Sequence, residues 1–270
     1  MLKLAIIGGG NMGEALLSGL LADGVATSPG LWVTDIAGDR LAALRQRYAV
    51  RTGHDNGEAA SWADMVLLAV KPQRMDQVLD ELKDRLADHV LIISIAAGIS
   101  LARIAARLGG TRKVLRVMPN QPCVVRAGMS AVAAASSVSP EEVAQVVRLF
   151  EAVGTVVVVE ERLMDAVTGL SGSGPAYVFQ VIAALAEGGV LMGLPRNIAL
   201  TLAAQTLLGA AKQVMETGES TAELTEKVTS PGGTTVAGLQ ALEAGGLRAA
   251  VIAAVEAATK RAEALGKGFE

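Results

Sequence analysis

The sequence predicts an α/β fold, a Rossmann-like doubly wound sheet followed by an all-helical dimerisation domain, and three observations predict it. Short apolar runs alternate with helical patterns through the first half of the chain. A GxGxxG motif joins the first such run to the first helical pattern. After Glu160 the strand-like runs stop and only long helix-period segments follow.

In chain order, strands are expected over residues 4–7, 31–34, 65–70, 90–94 and 114–118, with a last one over 155–159. Their alternation with helical patterns is the signature of parallel βαβ units. Ser139, Pro140 and Glu142 supply an N-cap, a proline at the first helical position and a glutamate at the third, so a helix should run from there toward Ala152. The second half reads as helices over 162–170, 175–192, 197–217, 221–228, 236–244 and 247–265. Valines give way to Glu160, Glu161 and Arg162 at the junction. The expected division is therefore a dinucleotide-binding Rossmann domain over 1–161 and a helical substrate-binding and dimerisation domain over 162–270.

Composition narrows the partners. A net charge of −3 and the absence of a basic run in the 270 residues give little support to nucleic acid or an anionic membrane surface, which leaves small molecules. Hydrophobic residues make up 51% of the chain and charged residues 19%, so some apolar surface is expected to be covered by a second copy, giving at least a dimer. The most apolar helix, over 175–192, carries Gln180 and Glu187 and is not expected to span a membrane. The lone Cys123 suits a reducing compartment and reads as a small buried hydrophobe, and the start of the chain lacks the basic-then-apolar pattern of a secretory signal. A cytoplasmic location is expected.

The glycine motif is Gly8, Gly9, Gly10, Asn11, Met12 and Gly13. Gly8 makes the tight turn, Gly10 lets the backbone approach a pyrophosphate, and Gly13 permits close packing of helix on strand. Asp35 ends the second strand roughly twenty positions later, where an acidic group hydrogen-bonds a ribose 2′-hydroxyl. That favours NAD, while Arg40 close by keeps a 2′-phosphate open, and capping of the next helix is a second use for Asp35. Three further turns fall at strand ends on the same carboxyl edge: Lys71 with Pro72, Ala96 with Ala97 and Gly98, and Pro119 with Asn120.

At the reacting end, residues Thr229, Ser230, Pro231, Gly232, Gly233, Thr234 and Thr235 lead into a helix. A glycine-rich helix start presents unpaired N–H groups and the positive end of the helix dipole, which suits a carboxylate or phosphate. The alternative is a connector with a Ser or Thr cap. No metal-ligand constellation is expected: there is no CxxC or HExxH, and the two histidines, His54 and His89, form no Ser-His-Asp set. Hydride addition to a carbon–nitrogen double bond is a reaction that needs no histidine, because a protonated imine is already electrophilic.

Six segments carry a resemblance: GGGNMG at 8–13, AVKPQ at 69–73, SIAAG at 94–98, RVMPN at 116–120, GLSGSGPAY at 169–177 and VTSPGGTTVAGLQALE at 228–243. In that order they resemble the pyrroline-5-carboxylate reductase family, over nearly the whole chain. The resemblance implies NAD(P)H-dependent reduction of 1-pyrroline-5-carboxylate to L-proline, the last step of proline biosynthesis, by a homodimer or larger homo-oligomer. It implies cofactor contacts from Gly8, Gly10, Asn11, Met12, Gly13, Asn56, Val70, Lys71 and the Ala96 to Gly98 segment. It further implies that Ser230, Gly232, Gly233, Thr234 and Thr235 hold the substrate carboxylate, with the Thr235 hydroxyl near the imine nitrogen. Asp35 stands where NADPH-using members tend to carry small hydroxyl or polar residues, so NADPH and NADH both stay open.

Two other readings compete. A hydroxyacid dehydrogenase of similar plan would use a helix lysine, for which Lys212 is the candidate. A non-catalytic NAD(P)H-binding protein would need no anion pocket. The second glycine-rich helix start, Ser171 to Pro175, reads either as a pocket wall or as tight packing at the start of a long helix.

Overall fold

Strand formation follows burial. β1 (Leu4–Ile7), β2 (Leu31–Thr34), β4 (Met65–Leu68) and β5 (Leu91–Ser94) are buried at every position, and β3 (Arg51–Gly53), β6 (Lys113–Met118), β7 (Gly128–Ala134) and β8 (Gly154–Val158) complete one sheet. The computed structural model describes residues 2–268. The strand order is β3-β2-β1-β4-β5-β6-β7-β8, whose first six members follow the doubly wound dinucleotide-binding order. Helices α1 (Asn11–Ala22), α2 (Gly38–Tyr48), α3 (Asn56–Trp62), α4 (Met75–Leu82), α5 (Leu101–Leu108) and α6 (Pro140–Glu151) connect them.

Both faces of the sheet are covered over β1, β2, β4 and β5, which is why these strands read as apolar runs rather than alternations. On one face Leu4 and Ile6 pack with Leu16, Leu17 and Leu20 of α1 and with Leu149 and Phe150 of α6. On the other, Ala5 and Ile7 pack with Ala59 and Ala60 of α3, Leu79 and Leu82 of α4, and Ile104 and Leu108 of α5. Ser139 caps α6 in a full capping box with Glu142, as its sequence predicts.

Two strands escape the sequence pattern. β3 adds at the edge beyond β2, and β7 runs antiparallel to β6, so the expectation of parallel units throughout needs correcting there. The helix expected over 162–170 is a 3-10 turn at Glu161–Leu163, the short α7 (Met164–Val167) and a π-helical turn at Thr168–Gly172.

The chain forms two compact units. The first runs to Ser173 and takes in the described residues from Ala257 onward; the second is Gly174–Glu256. The residues expected in the dinucleotide domain all fall in the first unit, which also holds 162–173. The remaining helices are α8 (Gly174–Leu191), α9 (Arg196–Thr217), α10 (Thr221–Lys227), α11 (Thr234–Ala244) and α12 (Leu247–Lys267). Within the second unit α8 and α9 meet at a small-residue contact of Ala186, Ala199 and Ala203, and Gly189 lets Leu194 and Ala199 approach. Both helices leave large apolar side chains exposed, among them Phe179, Leu202 and Leu208. By length and composition alone, the helical stretches Glu161–Leu191 and Arg196–Thr217 are apolar enough to cross a membrane.

Candidate functional site

The register of the sheet aligns Thr34, Ile7, Leu68, Ser94 and Arg116 in one row across β2, β1, β4, β5 and β6. Asp35, Gly8, the turn containing Val70, Lys71 and Pro72, and the turn of Ala96, Ala97 and Gly98 all follow that row, on the carboxyl edge where doubly wound sheets bind ligands.

Each glycine of the first turn has its own reason. Gly8 has φ +105°, and a Cβ on it would lie 2.5 Å from the Ala69 carbonyl oxygen. A Cβ on Gly9 would lie 2.8 Å from Leu44, and one on Gly13 would collide with the Gly8 carbonyl oxygen, so the helix start packs directly on the turn. Gly10 differs, since a Cβ there meets no protein atom within 4 Å. It is the N-cap of α1 and has no side chain to cap the first turn, which leaves the N–H groups of Asn11 and Met12 without an intrahelical acceptor. This open, donor-lined cradle fits a pyrophosphate.

Asp35 is tied to the same turn. Its Oδ2 accepts from Gly9 N–H at 2.8 Å and its Oδ1 from Ala37 N–H at 2.9 Å. Arg40 donates to Gly9 O and to Glu14, and Glu14 also accepts from Tyr48 Oη at 2.9 Å and Arg47 at 3.2 Å. Burial alone would raise the Glu14 pKa, but the Tyr48 and Arg40 hydrogen bonds and the Arg40 and Arg47 charges outweigh it and hold the carboxyl below its ordinary value. Asn56, the first residue of α3, accepts from the Thr34 hydroxyl at 2.6 Å and donates to Glu81 at 2.7 Å. Gly9 thus positions Asp35, and Thr34 and Glu81 position Asn56. Thr34, wholly buried at the end of β2, and Glu81 belong to no motif.

Asn120 plays a structural part. It donates to Ser171 O at 3.1 Å and accepts from Met129 N–H at 2.8 Å, while a Cβ on Gly172 would lie 2.7 Å from Met118. Packing therefore accounts for Gly172 in the second glycine-rich segment. Cys123 is buried, and burial pushes its thiol pKa up, away from nucleophilic use.

In the second unit, Ser230, Pro231, Gly232 and Gly233 form a turn closed by Gly233 N–H to Ser230 O at 2.9 Å. Proline second and a glycine at φ +68° third are the marks of a type II turn. A Cβ on Gly233 would strike the Ser230 hydroxyl and carbonyl. α11 starts two residues earlier than its apolar pattern suggests, which puts Thr234 and Thr235 in its first turn, and its N-cap Gly233 supplies no capping side chain. The connector reading required a Ser or Thr cap. Instead the first-turn N–H groups are left without a side-chain cap. Lys212, the candidate of the dehydrogenase reading, is an exposed residue 3.6 Å from Glu216 one helical turn on.

A family model described as pyrroline-5-carboxylate reductase dimerisation matches residues 161–265, and one described as NADP oxidoreductase, coenzyme F420-dependent, matches 3–98. A pyrroline-5-carboxylate reductase from Synechocystis sp. is 50% identical over 98% of this chain and 99% of its own length. The chain belongs to the pyrroline-5-carboxylate reductase family. The Escherichia coli pyrroline-5-carboxylate reductase is 43% identical over 98% of each chain. Among solved structures, the reductase from Coxiella burnetii superimposes with a TM-score of 0.93 at 39% identity, covering 97% of this chain and 98% of the other. The Plasmodium falciparum enzyme, solved with NADP bound, gives 0.88 at 31% identity over 98% of each. As a pyrroline-5-carboxylate reductase the chain is an NAD(P)H-dependent imine reductase of proline biosynthesis, and its dimerisation domain makes it a homo-oligomer. The hydroxyacid dehydrogenase and non-catalytic readings fall with that membership.

Proposed function

We propose that this pyrroline-5-carboxylate reductase grips the substrate carboxylate with residues Ser230, Gly232, Gly233, Thr234 and Thr235, and sets the Thr235 hydroxyl against the ring nitrogen. The uncapped start of α11 after a type II turn carries the reading: its N–H groups have neither a helical acceptor nor a side-chain cap. Charge-assisted hydrogen bonds of about 1.5–3 kcal/mol each, two or three in number, would fix the orientation of a small ring.

The nicotinamide nucleotide, when bound, supplies the hydride that adds to the imine carbon. On the chain's side, Gly8, Gly10, Asn11, Met12 and Gly13 cradle the pyrophosphate. Asp35 and Asn56 meet the adenosine ribose. Val70, Lys71, Pro72, Ala96, Ala97 and Gly98 line the rest of the edge. The protonated imine nitrogen keeps its proton and takes back the electron pair as the double bond becomes single, leaving a neutral amine, and the Thr235 hydroxyl stays hydrogen-bonded to that nitrogen. A modest donor suffices because the imine is activated by its own protonation.

The exposed apolar faces of α8 and α9 are the surface assigned to a second copy, giving a homodimer through the helical domain or a larger assembly built from it; the match to a dimerisation model supports this. The functional division stays at 1–161 for the nucleotide and 162–270 for substrate and assembly, and the enzyme works in the cytoplasm. Mixing purified protein with racemic 1-pyrroline-5-carboxylate and following oxidation of NADH and NADPH separately tests the reaction. Replacing Ser230 by alanine tests the carboxylate site, where a rise in KM of about 10-fold is expected from one lost hydrogen bond. An unchanged KM removes Ser230 from the site.

A further inference from the structure

We propose that Asp35 makes this enzyme bind NADH in preference to NADPH. The inference rests on reading the carboxyl edge of the sheet as the dinucleotide site and adds which nucleotide that site selects. The two cofactors differ only at the ribose 2′ position, a hydroxyl in one and a phosphate in the other. A hydroxyl can donate to a carboxylate, whereas a phosphate brings negative charge and acceptor oxygens.

The Asp35 carboxylate is fixed where that difference is read. Each oxygen accepts one backbone N–H, from Gly9 at 2.8 Å and from Ala37 at 2.9 Å. Each retains a lone pair for a ribose hydroxyl. The bond to Gly9 also holds the carboxylate against the glycine turn, so it cannot swing away from a phosphate without giving up a partner of that turn.

A phosphate would need a cation, and the surroundings commit theirs elsewhere. Within residues 35–40 the sequence holds two acids, Asp35 and Asp39, and one base, Arg40. The Arg40 guanidinium donates to Gly9 O and to Glu14, so its charge is already matched by a carboxylate. Asn56 is held between Thr34 and the acidic Glu81. His54 turns its Nδ1 to the Asp35 backbone carbonyl, 2.8 Å away. A 2′-phosphate would meet Asp35 at close range and would have to draw Arg40 away from Glu14.

The test is direct titration of the full-length protein with NADH and with NADPH, read as enhancement of nucleotide fluorescence and checked by calorimetry. NADH is expected to bind tighter by about 10-fold or more, since like charges within hydrogen-bonding range oppose the phosphate. Asp35→Asn keeps an oxygen for the Gly9 N–H and removes the charge; it should lower the ratio of the NADPH Kd to the NADH Kd by about 10-fold. NADPH binding as tightly as NADH in the unaltered protein overturns the proposal. So does an Asp35→Asn variant in which both Kd values rise together and the ratio stays put, because that is the mark of a merely structural carboxylate. Binding of neither nucleotide would instead overturn the assignment of the edge itself.

Discussion

Arg116 of β6 and Glu161 form an ion pair at 3.0 Å in which the arginine side chain is only 10% exposed and the glutamate 34%. The same Glu161 oxygen accepts the Leu101 N–H at 2.7 Å, one of the open donors at the start of α5. One carboxylate thus joins a central strand, a helix start and the segment that follows β8. Glu161→Gln would leave a nearly buried guanidinium without its counter-charge. The glutamate's partial exposure lets water replace some of the loss, so the expected destabilisation is about 1–3 kcal/mol, below the figure for a fully buried pair. Urea unfolding at one fixed protein concentration measures it, since an oligomer's midpoint moves with concentration. An unmoved midpoint would mean that solvent already satisfies Arg116.

Glu14 and Tyr48 should shape stability at the two ends of the pH range. The Glu14 carboxyl is held below its ordinary value of 4.5 because its hydrogen bonds and the neighbouring arginines outweigh its burial. The charged form is therefore favoured in the fold. Its contribution is complete above pH 4.5 or so and is lost as pH falls through the folded value. Tyr48 behaves oppositely: burial first, then its contact with Glu14, raises the phenol above 10.0 despite a Ser18 hydrogen bond that lowers it. Its contribution is complete below pH 10.0 and fades as pH rises through the folded value. Denaturant midpoints measured against pH should flatten on the acid side in Glu14→Gln and on the alkaline side in Tyr48→Phe. Slopes identical to the parent's would separate these groups from the pH dependence.

Gly8 and Gly10 should part company when each becomes alanine. At Gly8 the added methyl would lie 2.5 Å from the Ala69 carbonyl oxygen and 3.2 Å from Val70, on a backbone at φ +105°. Strain of about 1–3 kcal/mol is expected, with cofactor binding weakened as well. At Gly10 the backbone has φ −66° and the methyl enters open space, so stability should change by no more than about 0.5 kcal/mol. If the pyrophosphate lies against Gly10, nucleotide affinity should nonetheless fall by about 10-fold or more, as a methyl fills the cradle. Paired thermal melts and nucleotide titrations distinguish the two effects. Full affinity in Gly10→Ala would move the pyrophosphate elsewhere.

These contrasts also mark what the sequence reveals. β1 and β2 end where their apolar runs end, because burial on both faces leaves a continuous signal. β3 escapes notice because Arg51, Thr52 and Gly53 form a short edge strand with no apolar residue, and β7 because its buried positions are filled by small residues such as Gly128, Ser130, Ala131 and Ala133. The glycine turn was legible since backbone geometry restricts the residue type at each place. The bonds of Asp35 to the Gly9 N–H and of Asn56 to the Thr34 hydroxyl were not, since they join groups far apart in the chain, and no spacing rule ties them together. The type II turn could be read from Pro231 and Gly232, but the uncapped Gly233 needed the dihedral angles, because Thr234 and Ser230 are equally good caps on paper.

Thr235→Ala is the decisive change for the chemistry. Thr235 lies in the first turn of α11, partly buried, two residues after the uncapped Gly233. Losing a positioned proton partner should lower kcat by about 10- to 1000-fold, toward the lower end where water takes the hydroxyl's place. Because the backbone N–H groups stay in position, KM should change far less than kcat, the pattern of an interaction made mainly in the transition state. Thr235→Ser keeps the hydroxyl while dropping a methyl group, and should restore most of the rate. Steady-state kinetics on the two variants, with nucleotide affinity measured alongside to exclude a cofactor effect, gives the answer. Equal kcat for parent and Thr235→Ala at saturating substrate would take Thr235 out of the proton path and leave α11 with a binding role alone.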